Sequence, residues 1–348
     1  MKPFFKWSGG KRKEIHVVNE YKPKQYEKYY EPFVGGGAVW LHLEHSNSVV
    51  NDNYGDMINF YDVLKNNTER LVNKINDLSK NYSAEVGKIK KNKSLENKVT
   101  KLKERVDFLK APIILSDKML TYLPEFKDLI LLIGKLFIRE DEYKKTKEKL
   151  KQAKKDLNKD FYTLADKYYY HYRDNEFDDK FDQAVKFYML RQLSFSGMLR
   201  FGSSGKYNIP YGWYKSFKGI EQPVNDIKKV LQNTTILNQN WKDAVKTATK
   251  DDFVFLDPPY TRTFTEYHPS GNFGEKEHRE LADWFSKTPA KVMIIINKDE
   301  LSKELYGKYI KCEYDYRYSI QYRDRMQEDD SNAIHIVATN YDLTTEEE

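Results

Sequence analysis

The chain has a single cysteine, Cys312, among 348 residues, which excludes an internal disulfide and a thiolate metal cage. Its seven histidines are scattered without ligand spacing, so no metal site is expected. No stretch approaches the run of about eighteen apolar residues that a membrane span needs. The opening MKPFFKWSGGKRK also lacks the apolar core of a signal peptide, so the reading is a soluble, cytoplasmic protein in a reducing compartment. Charge of either sign is not in large excess: 59 Lys and Arg against 53 Asp and Glu, a net +6, mildly favour a polyanionic partner. What is plentiful is apolar and aromatic material, 39% and 15%, ample for a buried core in one large domain or two ordinary ones.

Three β-rich apolar runs follow one another late in the chain: FVFLDPPY, KVMIIINKDE from Lys291 and NAIHIVATNY from Asn332. Between the first two, Leu281, Trp284 and Phe285 of KEHRELADWFSK share one helical face, which makes a βαβ unit. Residues 1–65 repeat the texture, with YYEPF, a glycine turn, VWLHL and SVVNDN as strand, turn, helix and strand. Between these α/β pieces lies a region of different character. From Glu85 to Lys110, Leu95, Val99, Leu102, Val106, Leu109 and Ile113 recur at spacings of four and three, a long amphipathic helix able to form a short coiled coil. A second Lys-rich stretch, DEYKKTKEKLKQAKKDLNKD, is either its antiparallel partner or a solvated arm. Further on, SGMLRFGSSGKYNIPYG reads as a β-hairpin or extended loop. The expected organisation is one α/β domain, 1–65 and 231–348, interrupted by a mostly helical domain at 66–230 whose Lys-rich part spans about 85–155.

In EPFVGGGAVW a strand end, a glycine turn and a helix start let a ligand approach the backbone, and Asp52 stands seventeen positions after Gly35. In open α/β sheets an acid at that place takes ribose hydroxyls, so Glu31, Gly35 and Asp52 together favour a nucleoside ligand. Trp40 stands where a dinucleotide fingerprint has its third glycine, so nothing points to NAD. In FVFLDPPY, Asp257 ends a strand on a charge. Pro258 and Pro259 then hold a stiff turn whose carbonyls have few competing donors beside them. A carboxylate beside a carbonyl suits an amine with two hydrogens, and Tyr260 offers a face on which the ring carrying it can stack. The plainer alternative is a proline turn with a capping Asp.

Taken together and in this order, KWSGGK at 6–11, EPFVGGGAVW, the hairpin and DPPY resemble the Dam-type, D12-class DNA adenine-N6 methyltransferases. The resemblance covers 1–65 and about 160–345. It implies a Rossmann-like class I methyltransferase sheet with an inserted target-recognition domain carrying a β-hairpin. It also implies S-adenosylmethionine as cofactor, double-stranded DNA as partner, and no metal or membrane. Trp7, Lys11, Phe33, Gly35, Gly37, Asp52 and Asp257 then match cofactor contacts, and Trp241 stands where an Asp-Phe pair is usual, with Asn240 in place of the Asp. The mechanism implied is direct transfer to a flipped-out adenine, with Asp257 and the Pro258 carbonyl gripping its amine, Tyr260 as platform and Phe264, Tyr267, His268 and Phe273 as a lid. On the hairpin, Arg200 matches a guanine-reading arginine, with Met198 and Pro210 beside it, and Phe195 and Ser196 replace the Tyr-Asn of GATC-specific members. Lys206, Arg317, Arg323 and Arg325 are candidates for phosphates. Besides a GATC methyltransferase of the kind found in restriction–modification, acting as monomer or dimer, three alternatives stand: a cytosine-N4 enzyme, an RNA amino-methyltransferase, and a DNA-binding protein with an inactive methyltransferase fold.

Overall fold

Runs of buried β-branched and aromatic residues form the centre of a sheet, and runs that alternate with charge form its edge. The computed structural model describes residues 1–7, 9–89, 93–120, 128–202, 205–259, 273–317 and 332–343; for 111–120, 128–139 and 332 it describes the backbone only. Two compact units result, Met1–Lys80 with Tyr169–Glu348, and Asn81–Tyr168.

In the first unit the strands are β1 (Tyr29–Glu31), β2 (Ser48–Asn51), β3 (Thr234–Leu237), β4 (Phe253–Leu256), β5 (Lys291–Asn297), β6 (Ile310–Arg317) and β7 (Asn332–Thr339). Among the described residues they make one sheet in the order β3-β2-β1-β4-β5-β7-β6. The first five run parallel, and β7 enters antiparallel between β5 and β6. FVFL of β4 and VMIII of β5 are buried at every position, as strands covered on both faces must be. Helix Glu275–Lys287 makes the β4-to-β5 crossover and buries Leu281 and Phe285, with Trp284 partly covered, as its periodicity predicts. This is the mixed α/β architecture expected from the sequence.

β1 lies between β2 and β4, so the chain leaves the sheet in opposite directions after β1 and after β4. The crevice beyond the carboxyl ends at such a switch point is where open α/β sheets bind ligands. The N-terminal segment reaches this edge through an aromatic cluster, in which Phe5 meets Phe187 at 5.1 Å and Phe60 stacks on Tyr188 at 5.7 Å.

The second unit contains helices Lys93–Leu120 and Asp128–Leu157 packed against each other. Leu95, Val99, Leu102, Val106 and Leu109 are its covered positions in the first helix, and Thr146, Leu150 and Ala153 in the second, a 3–4 seam on each. An exposed Arg105–Glu142 ion pair at 2.6 Å joins a position 15 residues before the end of the first helix at Leu120 to one 14 residues after the start of the second at Asp128, so the helices are antiparallel. The Lys-rich stretch is therefore the partner helix, with its lysines outside. Residues 66–80 and 169–230, grouped with this insertion in the sequence reading, fall within the first unit.

Candidate active site

The site starts from KRKE, a 3-10 turn over Lys11–Glu14. A period of three places Lys11 and Glu14 on one buried face and leaves Arg12 and Lys13 in solvent. Lys11 is 2% exposed, and its Nζ donates to Asp257 Oδ1 at 2.5 Å and to the Gly9 carbonyl at 3.1 Å. Asp257 follows directly on β4, its side chain 19% exposed. Burial alone would lower the Lys11 ammonium, but the carboxylates of Asp257 and Glu14 outweigh it and hold it above its ordinary value. Burial pushes the Asp257 carboxyl up to about 6, with Lys11 offsetting part of the rise.

Beside it, β1 ends in Glu31, whose Oε2 accepts from the Tyr29 hydroxyl at 2.6 Å and from the Trp40 backbone N–H at 2.8 Å. Burial pushes this carboxyl up to about 8. The turn that follows is shaped by glycine. Gly35 (φ +46°) and Gly37 (φ +67°) are left-handed, and a Cβ on Gly36 would stand 2.7 Å from the Cβ of Trp7. The Tyr61 hydroxyl donates to the Gly35 carbonyl at 3.0 Å and pins the turn. Trp7 itself is fixed by Arg191, whose guanidinium lies 5.2 Å from the indole centroid and donates to the Lys6 carbonyl.

Asp52 leaves the tip of β2. Its carboxylate accepts from the Gly35 N–H and the Tyr54 N–H, both at 3.0 Å. Asn51 steadies this tip by donating to the carbonyls of Pro32 and Gln239, each at 3.0 Å. Phe33 is half-buried, 5.3 Å from Phe273 edge to face and 6.3 Å from Trp241. Trp241 is mostly buried, and Asn240 accepts from the Lys242 N–H as the cap of helix Trp241–Val245. That is a structural task for the residue that replaces the usual Asp. Pro258 is buried and Pro259 exposed, and the Pro259 carbonyl meets His278 Nε2 at 3.0 Å. Lys11, Glu31, Gly35, Asp52 and Asp257 thus share one edge, and Trp241, buried, meets it through Phe33 at 6.3 Å.

The stretch Ser194–Tyr211 forms a hairpin with sparse pairing. Isolated bridges join Ser194 to Tyr211 and Phe201 to Tyr207, and Phe195 N–H donates to the Pro210 carbonyl at 2.9 Å. Phe195 is 51% exposed, with Arg200, Lys206 and Pro210 also exposed and Met198 half-buried. Ser196 has φ +55°, a left-handed backbone that Asn adopts more readily than Ser, a local reason for the Asn of the related pattern. Arg200 Nε donates to Asn208 Oδ1 at 2.8 Å. Arg317 is exposed at the end of β6. Tyr260, Phe264, Tyr267, His268, Arg323 and Arg325 lie outside the described residues.

Two groups went unnoticed in the sequence. Glu14 and His335 are far apart along the chain, yet His335 Nδ1 lies 2.6 Å from Glu14 Oε1, deep behind Lys11. Only the period of the KRKE turn hinted at Glu14. Among the described residues no cluster of metal-ligating side chains occurs, and no helix is long and apolar enough to cross a membrane.

Comparison with known proteins gives the chain's relatives. The chain is 26% identical over 345 residues to the Type II methyltransferase M.CviBI of Paramecium bursaria Chlorella virus NC1A, covering 98% of this chain and 100% of that protein. It is 25% identical to the Type II methyltransferase M1.LlaDCHI of Lactococcus lactis subsp. cremoris, covering 89% and 86%. With the DNA adenine methylase of Escherichia coli K12 the identity is 22%, covering 88% and 84%. Residues 7–125 and 129–323 match the family described as D12 class N6 adenine-specific DNA methyltransferase, and the chain belongs to that family.

Proposed function

We propose that this adenine-specific DNA methyltransferase uses S-adenosylmethionine to methylate the N6 amine of an adenine rotated out of duplex DNA, within a short sequence of which GATC is the first candidate. The observation that carries the reading is Asp257, held by Lys11 at the carboxyl end of β4 within the crevice that Asp52 and the glycine turn also line.

The donor set fits the cofactor. The Asp52 carboxylate, with two backbone N–H bonds already placed, keeps lone pairs for a ribose diol. The glycines at 35 to 37 let the turn pack directly against Trp7, Trp40 and Tyr61 where a side chain would not fit, with Phe33 as a flat neighbour of the turn and of Trp241. Trp7, Lys11 and Glu31 frame the same edge. When bound, S-adenosylmethionine supplies a methyl group on an electrophilic sulfonium.

The chain's own residues act on the amine. Adenine N6 is a poor nucleophile because its lone pair is delocalised into the ring. An Asp257 oxygen and the Pro258 carbonyl, both acceptors, draw its two N–H bonds so that the lone pair localises on nitrogen, and the carboxylate faces the charge that develops there. Its preorganisation comes from Lys11, which fixes one oxygen and leaves the remaining lone pairs to accept. Tyr260 is given the role of stacking platform for the extruded base, and Tyr267 and His268, like it outside the described residues, that of contacts to the base. Extrusion costs a few kcal/mol, and Phe195, a large apolar ring in solvent at the hairpin end, is suited to wedge into the gap. Arg200 reads a guanine edge, supported by Met198, Ser196 and Pro210, while Lys206 and Arg323 hold phosphates. The cytoplasm is its expected place.

The test is incubation of the protein with duplex DNA and cofactor labelled in the methyl group, followed by digestion to nucleosides. Label in N6-methyladenine at a defined short sequence is the expected result. Label only in cytosine, RNA or protein would overturn the assignment.

A further inference from the structure

Behind the Lys11–Asp257 pair lies a buried charged array that the reaction as described does not use. Glu14, one turn of 3-10 helix beyond Lys11, is almost fully buried. Its Oε1 accepts from the Tyr314 hydroxyl at 2.6 Å on β6 and from His335 Nδ1 at 2.6 Å on β7. Its Oε2 is buried without a hydrogen-bond partner among the described residues. The His335 ring is itself held, stacked on Tyr316 at 4.3 Å with 14° between planes. A lone oxygen of a buried carboxylate is costly unless a cation compensates it. The ammonium sharing its face of the turn is that of Lys11.

From this geometry, and resting on the role proposed above for Asp257, we propose that Glu14, clamped by Tyr314 and His335, is a positioning residue. Its buried charge shares a face of the turn with the Lys11 ammonium, acts on it electrostatically, and so favours the orientation and charge of the carboxylate that grips the amine. The alternation of β6 and β7 supplies the clamp. Tyr314 and Tyr316 face the same side as His335, so the antiparallel end of the sheet, remote in sequence from DPPY, reaches the reacting group through Glu14 and Lys11.

The charges are consistent with this placement. Burial alone would raise the Glu14 carboxyl, but the hydrogen bond from His335 and the charge of Lys11 outweigh it and keep it ionised. The groups that bear on Glu14 among the described residues are Lys11 from its own turn, Asp257 from β4, Tyr314 and Tyr316 from β6 and His335 from β7. Asp257 also feels Glu31 and Tyr29 of β1. The negative charge of Glu14 raises the Asp257 carboxyl, so removing that charge without removing its shape lowers it.

The experiment is single-turnover methyl transfer to duplex DNA across pH, with cofactor affinity and melting temperature measured on the same preparations. Glu14→Gln is expected to lose about tenfold in the plateau rate, to keep cofactor affinity within about twofold, and to move the acidic limb down by roughly half a pH unit or more. His335→Ala is expected to lose rate as well. His335→Asn, whose side-chain amide nitrogen stands about where Nδ1 does and keeps a donor for Glu14, should recover most of it. A Glu14→Gln protein with wild-type rate and limb overturns the proposal. So does a rate loss that merely follows falling melting temperature with the limb unmoved. Should Glu14→Gln not fold, the two His335 variants carry the test, and equal rates in both overturn it. Asp257→Asn in the same assay separates the two levels: if it transfers at the wild-type rate, the reading of the site fails. If it is inactive while Glu14→Gln is normal, only the present inference fails.

Discussion

At the scale of single residues, the account turns on two carboxyls whose environments push them in the same direction for different ends. Asp257 is pushed up to about 6, chiefly by burial. Ionised, it offers acceptors on both oxygens and a charge against that developing on nitrogen, whereas protonation removes the charge and turns one oxygen into a donor, so the transfer rate should fall about tenfold per pH unit below 6 and level off above it, as a single-turnover pH profile will show. Lys11→Met removes the cation that offsets this rise and should move the same limb to higher pH. Glu31, pushed to about 8 by burial, is neutral at the pH where Asp257 is charged. Its unfolded carboxyl releases a proton near 4.5, so between 4.5 and 8 the folded state holds one proton more. Stability is therefore greatest at the acid end of that window and is lost as pH rises, by up to about 1.4 kcal/mol per unit. Denaturant titrations from pH 5 to 8 should show this decline in the wild type and a flatter line in Glu31→Gln, whose amide oxygen can still accept from Tyr29 and Trp40. The acid at 257 was legible because a charge and two prolines at the end of an apolar run have little sheet purpose. Glu14 and His335 were not legible, since nothing in a one-dimensional pattern joins a residue on the first turn to one on the last strand.

At the scale of elements, strands covered on both faces were readable and edges were not. FVFL and VMIII announce themselves as apolar runs. β6, IKCEYDYR, alternates half-buried with exposed residues at the sheet edge, and β3 is four residues with only its first fully buried, so neither leaves an apolar run to find. The glycine turn was visible as composition, but its purpose appears only against Trp7. A methyl on Gly36 meets the Trp7 Cβ, which cannot swing away as the end of a long side chain would. Gly36→Ala should weaken cofactor binding about tenfold or more, measured by calorimetric titration, because the turn or the Trp7 segment must shift. On the hairpin, Arg200→Ala should relax discrimination at one base pair by about 1–3 kcal/mol, with little change at the others, in competition assays across single-base variants.

At the scale of the molecule, one sheet brings the N-terminal turn, the ends of β1 and β2 and the end of β4 to one edge, although β2 and β4 are separated by some two hundred residues of chain. The order of motifs was enough to infer such a sheet; its antiparallel end was not, because β7 inserts between β5 and β6 without any sequence mark of doing so. The helical unit Asn81–Tyr168 has its own seam, and Leu109→Ala, at a buried seam position, should cost about 2–4 kcal/mol there. Hydrogen exchange should show the lost protection within residues 81–168. The central claim concerns the carboxylate that ends β4. Its most direct test is the single-turnover rate of methyl transfer to duplex DNA by Asp257→Asn, in which one acceptor oxygen becomes an amide NH2 donor of similar size and the charge is lost. The account predicts a loss of more than about a hundredfold with cofactor still bound; a rate within about twofold of the wild type would contradict it.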